Sequence, residues 1–209
     1  MTYDVAIVGS GCAGLSAAYR LAPDHDVLVV DRAGIGEGTS SRASGVITTS
    51  VDYPDQPEWS AYATDFFREL DGRGTFTWID REYVRGVRPE DVGSSEELAD
   101  TDDISLVEVD EYDNMFDSSS PYTHALVWED TGYCDVDDFL ATMHREAADR
   151  GAEFRPDTIV EAILVDDGTA VGVETEFGGV YADTIVVAAG SATRQLLKGV
   201  IQLPLKKFP

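Results

Sequence analysis

The sequence predicts an α/β fold built on a parallel sheet, and three stretches carry that prediction. The apolar run Val5–Val8 meets the glycine cluster GSGCAG at residues 9–14, then a helical pattern to Leu21 and a second apolar run, 27–30, closed by Asp31; this is a strand–helix–strand unit. Near the other end, Thr184–Ala188 is apolar without alternation, as a central strand of a parallel sheet must be. Between them, Asp166-Asp-Gly168 and Gly178-Gly179 interrupt alternating runs and read as hairpin turns of an antiparallel meander.

In the opening unit each glycine has a physical task. Gly9 permits the tight turn, Gly11 removes a side chain so that a pyrophosphate can lie against the backbone, and Gly14 lets the helix press onto the strand. Unpaired N–H groups and the helix dipole favour phosphate at the helix start. Leu15, Ala18 and Leu21 give that helix an apolar face. Asp31, about twenty residues beyond the middle glycine, is placed to accept from a ribose diol. An acid there disfavours a 2′-phosphate and so argues against NADP. Three glycines at this spacing are weak evidence alone; the flanking strands, the helix and the acid make the opening Rossmann-like.

Composition bounds the rest. A chain of 209 residues buries enough for one domain, or a domain with a modest lobe. Forty acids against fifteen bases give a net charge of −25 while 43% of residues are hydrophobic, which describes a folded protein with an acid-coated surface. The first lysine is Lys198, and arginine supplies most of the positive charge. Such a surface resembles cytoplasmic proteins of extreme halophiles, where molar salt screens the repulsion. It makes nucleic acid and anionic membranes poor candidate partners. No stretch is long and apolar enough to span a bilayer, no signal-like N-terminus is evident, and a cytoplasmic location is expected. Cys12 and Cys134 do not make a disulfide framework, and Cys12 reads as a small residue that fits the glycine loop.

Taken in order, residues 31–50 are too rich in glycine and hydroxyls for a packed strand and read equally as an ordinary surface loop or as a loop able to approach a ligand. Trp59, Tyr62, Ala63, Phe66, Phe67 and Leu70 fall at helical spacing and predict a core-facing stripe. Phe76–Ile79, Tyr83–Val87 and His124–Trp128 predict strands, whereas the acidic segment Glu90–Asp117 predicts mostly solvated helix and loop. Asp135 opens a helix with Val136, Phe139, Leu140, Met143, Ala147 and Ala148 on one face, and His144 belongs to that helix rather than to a catalytic pair. Strands follow at 152–155, 158–165, 170–176, 180–182 and 184–188. Ala189-Gly190-Ser191 then opens another helix.

The opening unit, Asp31, the stretch Gly38-Thr-Ser-x-Arg-x-x-Gly45, Gly132-Tyr-x-Asp135 before a helix, Val160 in a strand and Ile185-Val-Val-Ala-Ala-Gly190 near the end, in this order, resemble the N-terminal half of the D-amino-acid oxidase family of FAD-dependent oxidoreductases. That family includes glycine oxidase and sarcosine oxidase. The resemblance implies a Rossmann-like FAD-binding fold at 1–50 and 132–209, with part of an inserted α+β substrate lobe at 51–131. It implies that Asp31 and Arg32 hold the adenosine ribose and that Gly9, Gly11 and Gly14, with Cys12 and Ala13 in the same loop, surround the pyrophosphate. Thr39, Ser40 and Arg42 would reach phosphate and ribityl groups, Gly45 and Val46 would lie near the flavin ring, Val160 would contact adenine, and Ala189 and Gly190 would make a second backbone approach. FAD is preferred over NAD because the chain enters the glycine-rich loop instead of another βα repeat.

The implied chemistry is oxidation of the C–N bond of an amino acid or secondary amine by hydride transfer to flavin N5. Relatives of this kind are commonly nearly twice as long, and the substrate-gripping residues of the second half have no counterpart here, so the chain is expected to lack the C-terminal half or to receive it from a second chain. No side chain stands out as an acid, a base or a metal ligand. Other readings are an FAD-binding subunit or inactive remnant of a split flavoprotein, or another flavoprotein class such as a hydroxy-acid dehydrogenase or an archaeal lipid reductase.

Overall fold

In chain order the elements are β1 (Thr2–Val8), α1 (Cys12–Leu21), β2 (Val27–Val30), β3 (Val46–Ile47), α2 (Thr49–Asp52), α3 (Pro57–Leu70), β4 (Trp78–Asp80), β5 (Tyr83–Val87), α4 (Val92–Leu98), β6 (Ile104–Glu108), β7 (His124–Trp128), β8 (Gly132–Cys134), α5 (Val136–Asp149), β9 (Glu153–Arg155), β10 (Val160–Asp166), β11 (Thr169–Thr175), β12 (Gly178–Val187) and α6 (Thr193–Leu196). The computed structural model describes residues 2–53, 55–99, 104–112, 115–117 and 119–201. It divides the chain into two units, one running to Ser44 and resuming at Val136, the other spanning Gly45–Asp135.

The first unit is a six-stranded mixed sheet in the order β10-β11-β12-β1-β2-β9. Val5–Val8 and all of β2 are buried, as strands with a neighbour on each side and cover on each face must be. Alternation sorts their side chains between two cores. Val5, Ile7, Val27 and Val29 pack with Ala18 of α1 and Ala147 of α5 on one face. Tyr3, Ala6, Leu28 and Val30 pack with Ala182, Val160 and Val180 on the other. Each fully buried Val or Leu contributes about 1.5–3 kcal/mol.

Two features of this sheet differ from the sequence reading. Residues 152–155 do not join the antiparallel meander; β9 pairs in parallel with β2 at the sheet edge, Val29 opposite Phe154. Tyr3 donates to Glu153 Oε2 at 2.7 Å and receives a bond from Arg155 at 2.6 Å, tying that edge to β1. The two short strands expected at 180–182 and 184–188 are one ten-residue strand, β12. Its start pairs antiparallel with β11 and its remainder parallel with β1, with Tyr181 serving in both ladders. Asp183, a polar residue inside an apolar run, suggests a break, but a strand tolerates it when that side chain faces solvent, and Asp183 is exposed. The hairpin signal at 166–168 has its stereochemical cause: Asp167 and Gly168 both have positive φ, 45° and 78°, as a two-residue turn matching strand twist demands.

The second unit holds two three-stranded antiparallel sheets, β3-β8-β4 and β5-β7-β6. Central β7 is buried from Ala125 to Trp128, and Leu126 and Trp128 with Val87 form a core lined by Val51, Ile104 and Leu106. The acidic segment therefore contains a strand, β6: Ile104 and Leu106 alternate toward the core opposite Trp128 and Leu126. Its positions 100–103 lie outside the described residues. The α3 stripe is borne out only toward its C-terminal end, where Leu70 is buried and Phe67 stacks on Trp78. Ser60, Thr64 and Leu70 are the buried positions, while Trp59 and Tyr62 are exposed. The cause is polar: the Thr64 and Thr49 hydroxyls meet at 2.9 Å and Ser60 donates to the Thr49 carbonyl at 3.0 Å, so hydroxyls rather than aromatic rings join α3 to α2. Ala148, expected on the buried face of α5, is exposed.

Candidate functional site

The parallel strands β1, β2 and β12 end side by side, and a chain reversal follows each. The amide of Gly9 donates to the Val30 carbonyl and that of Ala188 to the Val8 carbonyl, both at 2.8 Å. After β1 the chain turns into α1 and after β12 into the short α6, and residues of both exits line one crevice. Ligands of open α/β sheets bind at such a point, outside the carboxyl ends of the strands. A cleft of about 320 Å³ lies there, lined by the turns after β1, β2 and β12 and by residues 158–161 ahead of and within β10. That is near the lower end of small-ligand pockets, about 300–1,000 Å³.

Close backbone approach defines the cleft wall. Gly9 has φ +109°, and a Cβ there would run into the Ala188 carbonyl. A Cβ on Gly14 would run into the Gly9 carbonyl, so the first turn of α1 sits directly beneath the loop. The first intrahelical bond runs from Leu15 N–H to the Gly11 carbonyl at 2.9 Å, leaving the preceding amides without helical partners. Ser40 Oγ accepts from the Cys12 amide at 3.1 Å. Its own hydroxyl proton is available to an oxygen acceptor in the cleft. The first turn of α1 carries no acid and its last turn carries Arg20, so the positive end of the helix dipole faces the cleft uncompensated by its own helix.

Asp31 follows β2 and is fixed by three donors. The Ser10 amide (2.6 Å) and hydroxyl (2.8 Å) both donate to Oδ2, and the Ala33 amide donates to Oδ1 at 3.0 Å. Ser10 carries no signal in the sequence; it is the first variable position of the glycine motif, and only the fold brings it against Asp31. Backbone bonds from Asp31 to the Arg155 carbonyl and from Thr158 to the Asp31 carbonyl, 3.1 and 2.8 Å, hold the neighbouring segments in place.

Of the positions singled out in the sequence, Gly9, Gly11, Asp31, Arg32, Thr39, Ser40, Val160, Ala189 and Gly190 line this one cleft, joined by Thr158, Glu161 and Gln195, which no sequence signal marked. Cys12, Ala13 and Gly14 lie at the start of α1, with Gly14 buried. Arg42 lines a second hollow of the same unit with Glu37, Asp137 and His144. Burial pushes the His144 imidazole below its ordinary range, and its ring stands edge-on to Phe154, with centroids 4.4 Å apart, as a packed helix residue does. Gly45 and Val46 belong to the second unit. Gly45, at φ +76°, abuts the Cys134 carbonyl, and Val46 pairs with Tyr133. Among the described residues no group of three His, Cys, Asp or Glu side chains could hold a metal ion, and no helix is long and apolar enough to cross a membrane.

Comparison with known proteins adds a family to this geometry. The family model described as "FAD dependent oxidoreductase" (DAO) matches residues 4–208. The 4-methylaminobutanoate oxidase (formaldehyde-forming) of Paenarthrobacter nicotinovorans is 25% identical over 205 residues, covering 91% of this chain and 24% of that protein. The beta subunit of sarcosine oxidase from Rhodobacter capsulatus is 25% identical over 227 residues, covering 99% and 54%. The glycine oxidase structure from Bacillus cereus ATCC 14579 shares the fold, with a TM-score of 0.77 at 24% identity over 94% of this chain and 59% of that one. The chain thus spans from about a quarter to a little over half the length of these relatives.

Proposed function

The chain belongs to the FAD-dependent oxidoreductase (DAO) family that its sequence matches, and on that footing we propose that its first unit holds the adenosine diphosphate part of FAD in the cleft where β1, β2 and β12 end. The observation that carries this reading is the convergence on one crevice of the Gly9 turn, the dipole end of α1 and the Asp31 carboxylate. The residues fit the group: a backbone wall that side chains would fill lies beside a helix start suited to a pyrophosphate.

In this reading Asp31 and Arg32 face the adenosine ribose, the backbone from Gly11 through Cys12, Ala13 and Gly14 faces the pyrophosphate, and Thr39 and Ser40 donate hydroxyl protons to phosphate or ribityl oxygens. The Val160 backbone meets the adenine, Ala189 and Gly190 supply the second backbone approach, and Gly45 and Val46 belong beside the flavin ring. Arg42, two residues beyond Ser40, lines the neighbouring hollow and would have to reach the phosphate or ribityl groups from there. When bound, the flavin supplies the hydride acceptor; the chain's own part is to bind, orient and exclude water.

The activity proposed for the protein at the family's length is oxidation of a C–N bond in an amino acid or secondary amine. The relatives support this class, since methylaminobutanoate and sarcosine are both amines. The second unit is then part of the substrate lobe. A second reading, an FAD-binding subunit working with a partner chain, is favoured by one observation: the sarcosine oxidase relative is itself a subunit. The acid-coated surface supports a cytoplasmic protein of a high-salt cell.

The test is retention of flavin. The chain is mixed with FAD in molar salt, freed of excess by gel filtration, and its visible spectrum and flavin fluorescence are recorded. A retained, perturbed flavin band is expected; a folded, colourless protein would contradict the reading.

A further inference from the structure

Resting on the FAD reading, we propose that Asp31 grips the adenosine ribose through one hydroxyl rather than two, because Ser10 takes up one of its two carboxylate oxygens. A carboxylate offers about four acceptor positions, two on each oxygen. Oδ2 accepts two bonds from Ser10, from its amide at 2.6 Å and its hydroxyl at 2.8 Å. Oδ1 accepts one from the Ala33 amide at 3.0 Å. One acceptor position is left, on Oδ1, and a diol has two protons to donate.

The arrangement is fixed in direction. The Ser10 hydroxyl accepts from the Gly36 amide at 3.3 Å, so its single proton goes to Asp31. Ser10 is fully buried, so water does not compete for that proton. The chain of bonds from Gly36 through Ser10 to Asp31 joins the turn after β1 to the loop after β2 and sets the plane of the carboxylate before any ligand arrives. Ser10 acts through Asp31 and is a positioning residue.

The test uses ADP and its 2′-deoxy and 3′-deoxy analogues, titrated calorimetrically into the chain in molar salt. One charge-assisted hydrogen bond to a ribose hydroxyl corresponds to about a tenfold change in affinity. One analogue is therefore expected to bind about tenfold more weakly than ADP, and the other within about twofold of it. Ser10→Ala frees an Oδ2 position for the second hydroxyl, so both analogues then lose affinity relative to ADP and the ratio of their affinities shrinks toward one. Ser10→Thr, which keeps the hydroxyl, preserves the wild-type pattern; a merely structural role would not produce this exchange of selectivity. The wild-type comparison needs no variant and stands even if a substitution unfolds the chain. ADP bound normally with both analogues weakened alike, or neither weakened, would overturn this inference alone. ADP that does not bind would overturn the FAD reading and this inference with it.

Discussion

The two units of the chain solve the problem of stability by different means. The first rests on close-packed apolar strands: β2 is buried throughout, Leu28 and Val30 completely, and its site is shaped mainly by backbone. The second has smaller sheets and leans on a polar tie. The Arg68 guanidinium donates to Asp130 at 2.7 Å and to Asp80 at 3.0 Å, and the Trp78 indole N–H donates to the same Asp80 oxygen at 2.9 Å. The second unit also leaves Val46, Tyr133 and Ile79, which lie opposite one another across β3, β8 and β4, between 39% and 50% exposed. A unit whose central strands are close-packed can carry a binding site on its backbone, whereas one with smaller sheets relies more on charged ties between side chains.

The sharpest way to break this comparison is through the cores. Trp128→Ala should destabilise the second unit by about 3–5 kcal/mol and Leu28→Ala the first by about 2–5 kcal/mol, read by denaturant unfolding. If Trp128→Ala were nearly neutral, the second unit would not possess the core ascribed to it. Gly14→Val puts a branched side chain into the Gly9 carbonyl. A cost of about 3 kcal/mol or more is expected, with loss of retained flavin, whereas Gly38→Ala, with open space around it, should change stability by less than about 1 kcal/mol. Arg68→Ala should cost about 1–2 kcal/mol, discounted for an arginine 36% exposed. A double-mutant cycle with Asp130→Ala would show whether the tie is the source of that loss.

The smallest effect expected is electrostatic. The Tyr3 hydroxyl, and then Arg155, hold the Glu153 carboxyl below its usual range. A depressed carboxylate stabilises the fold above its unfolded pKa and loses that contribution as pH falls through its lower folded value. Glu153→Gln should therefore lower Tm by no more than about 3 °C near neutral pH, with the difference shrinking as the pH drops below that range.

Much of the first unit was legible because its signals are local. A strand, a glycine turn and an acid at fixed spacing lie within thirty residues, and the hairpin at 166–168 announces itself through Asp-Gly. What was not legible depends on tertiary partners. Ser10 gains its role only when Asp31, twenty-one residues away, folds against it. The continuity of β12 depends on a change of partner that no periodicity records. In the second unit β6 hides among acids and its core residues show only as Ile104 and Leu106, while Trp59 and Tyr62 of the α3 stripe lie exposed because hydroxyl pairs, not aromatic rings, meet α2.

The central claim is that the nucleotide is held by the first unit at the ends of β1, β2 and β12, and backbone hydrogen exchange with and without ADP tests it most directly. ADP is the probe because it lacks the flavin ring. Added protection is expected at residues 9–15, 31–40, 158–161 and 188–192, with β5, β6 and β7 unchanged. Protection centred on β5–β7, or ADP that binds without slowing exchange around Gly9 and Asp31, would contradict the account.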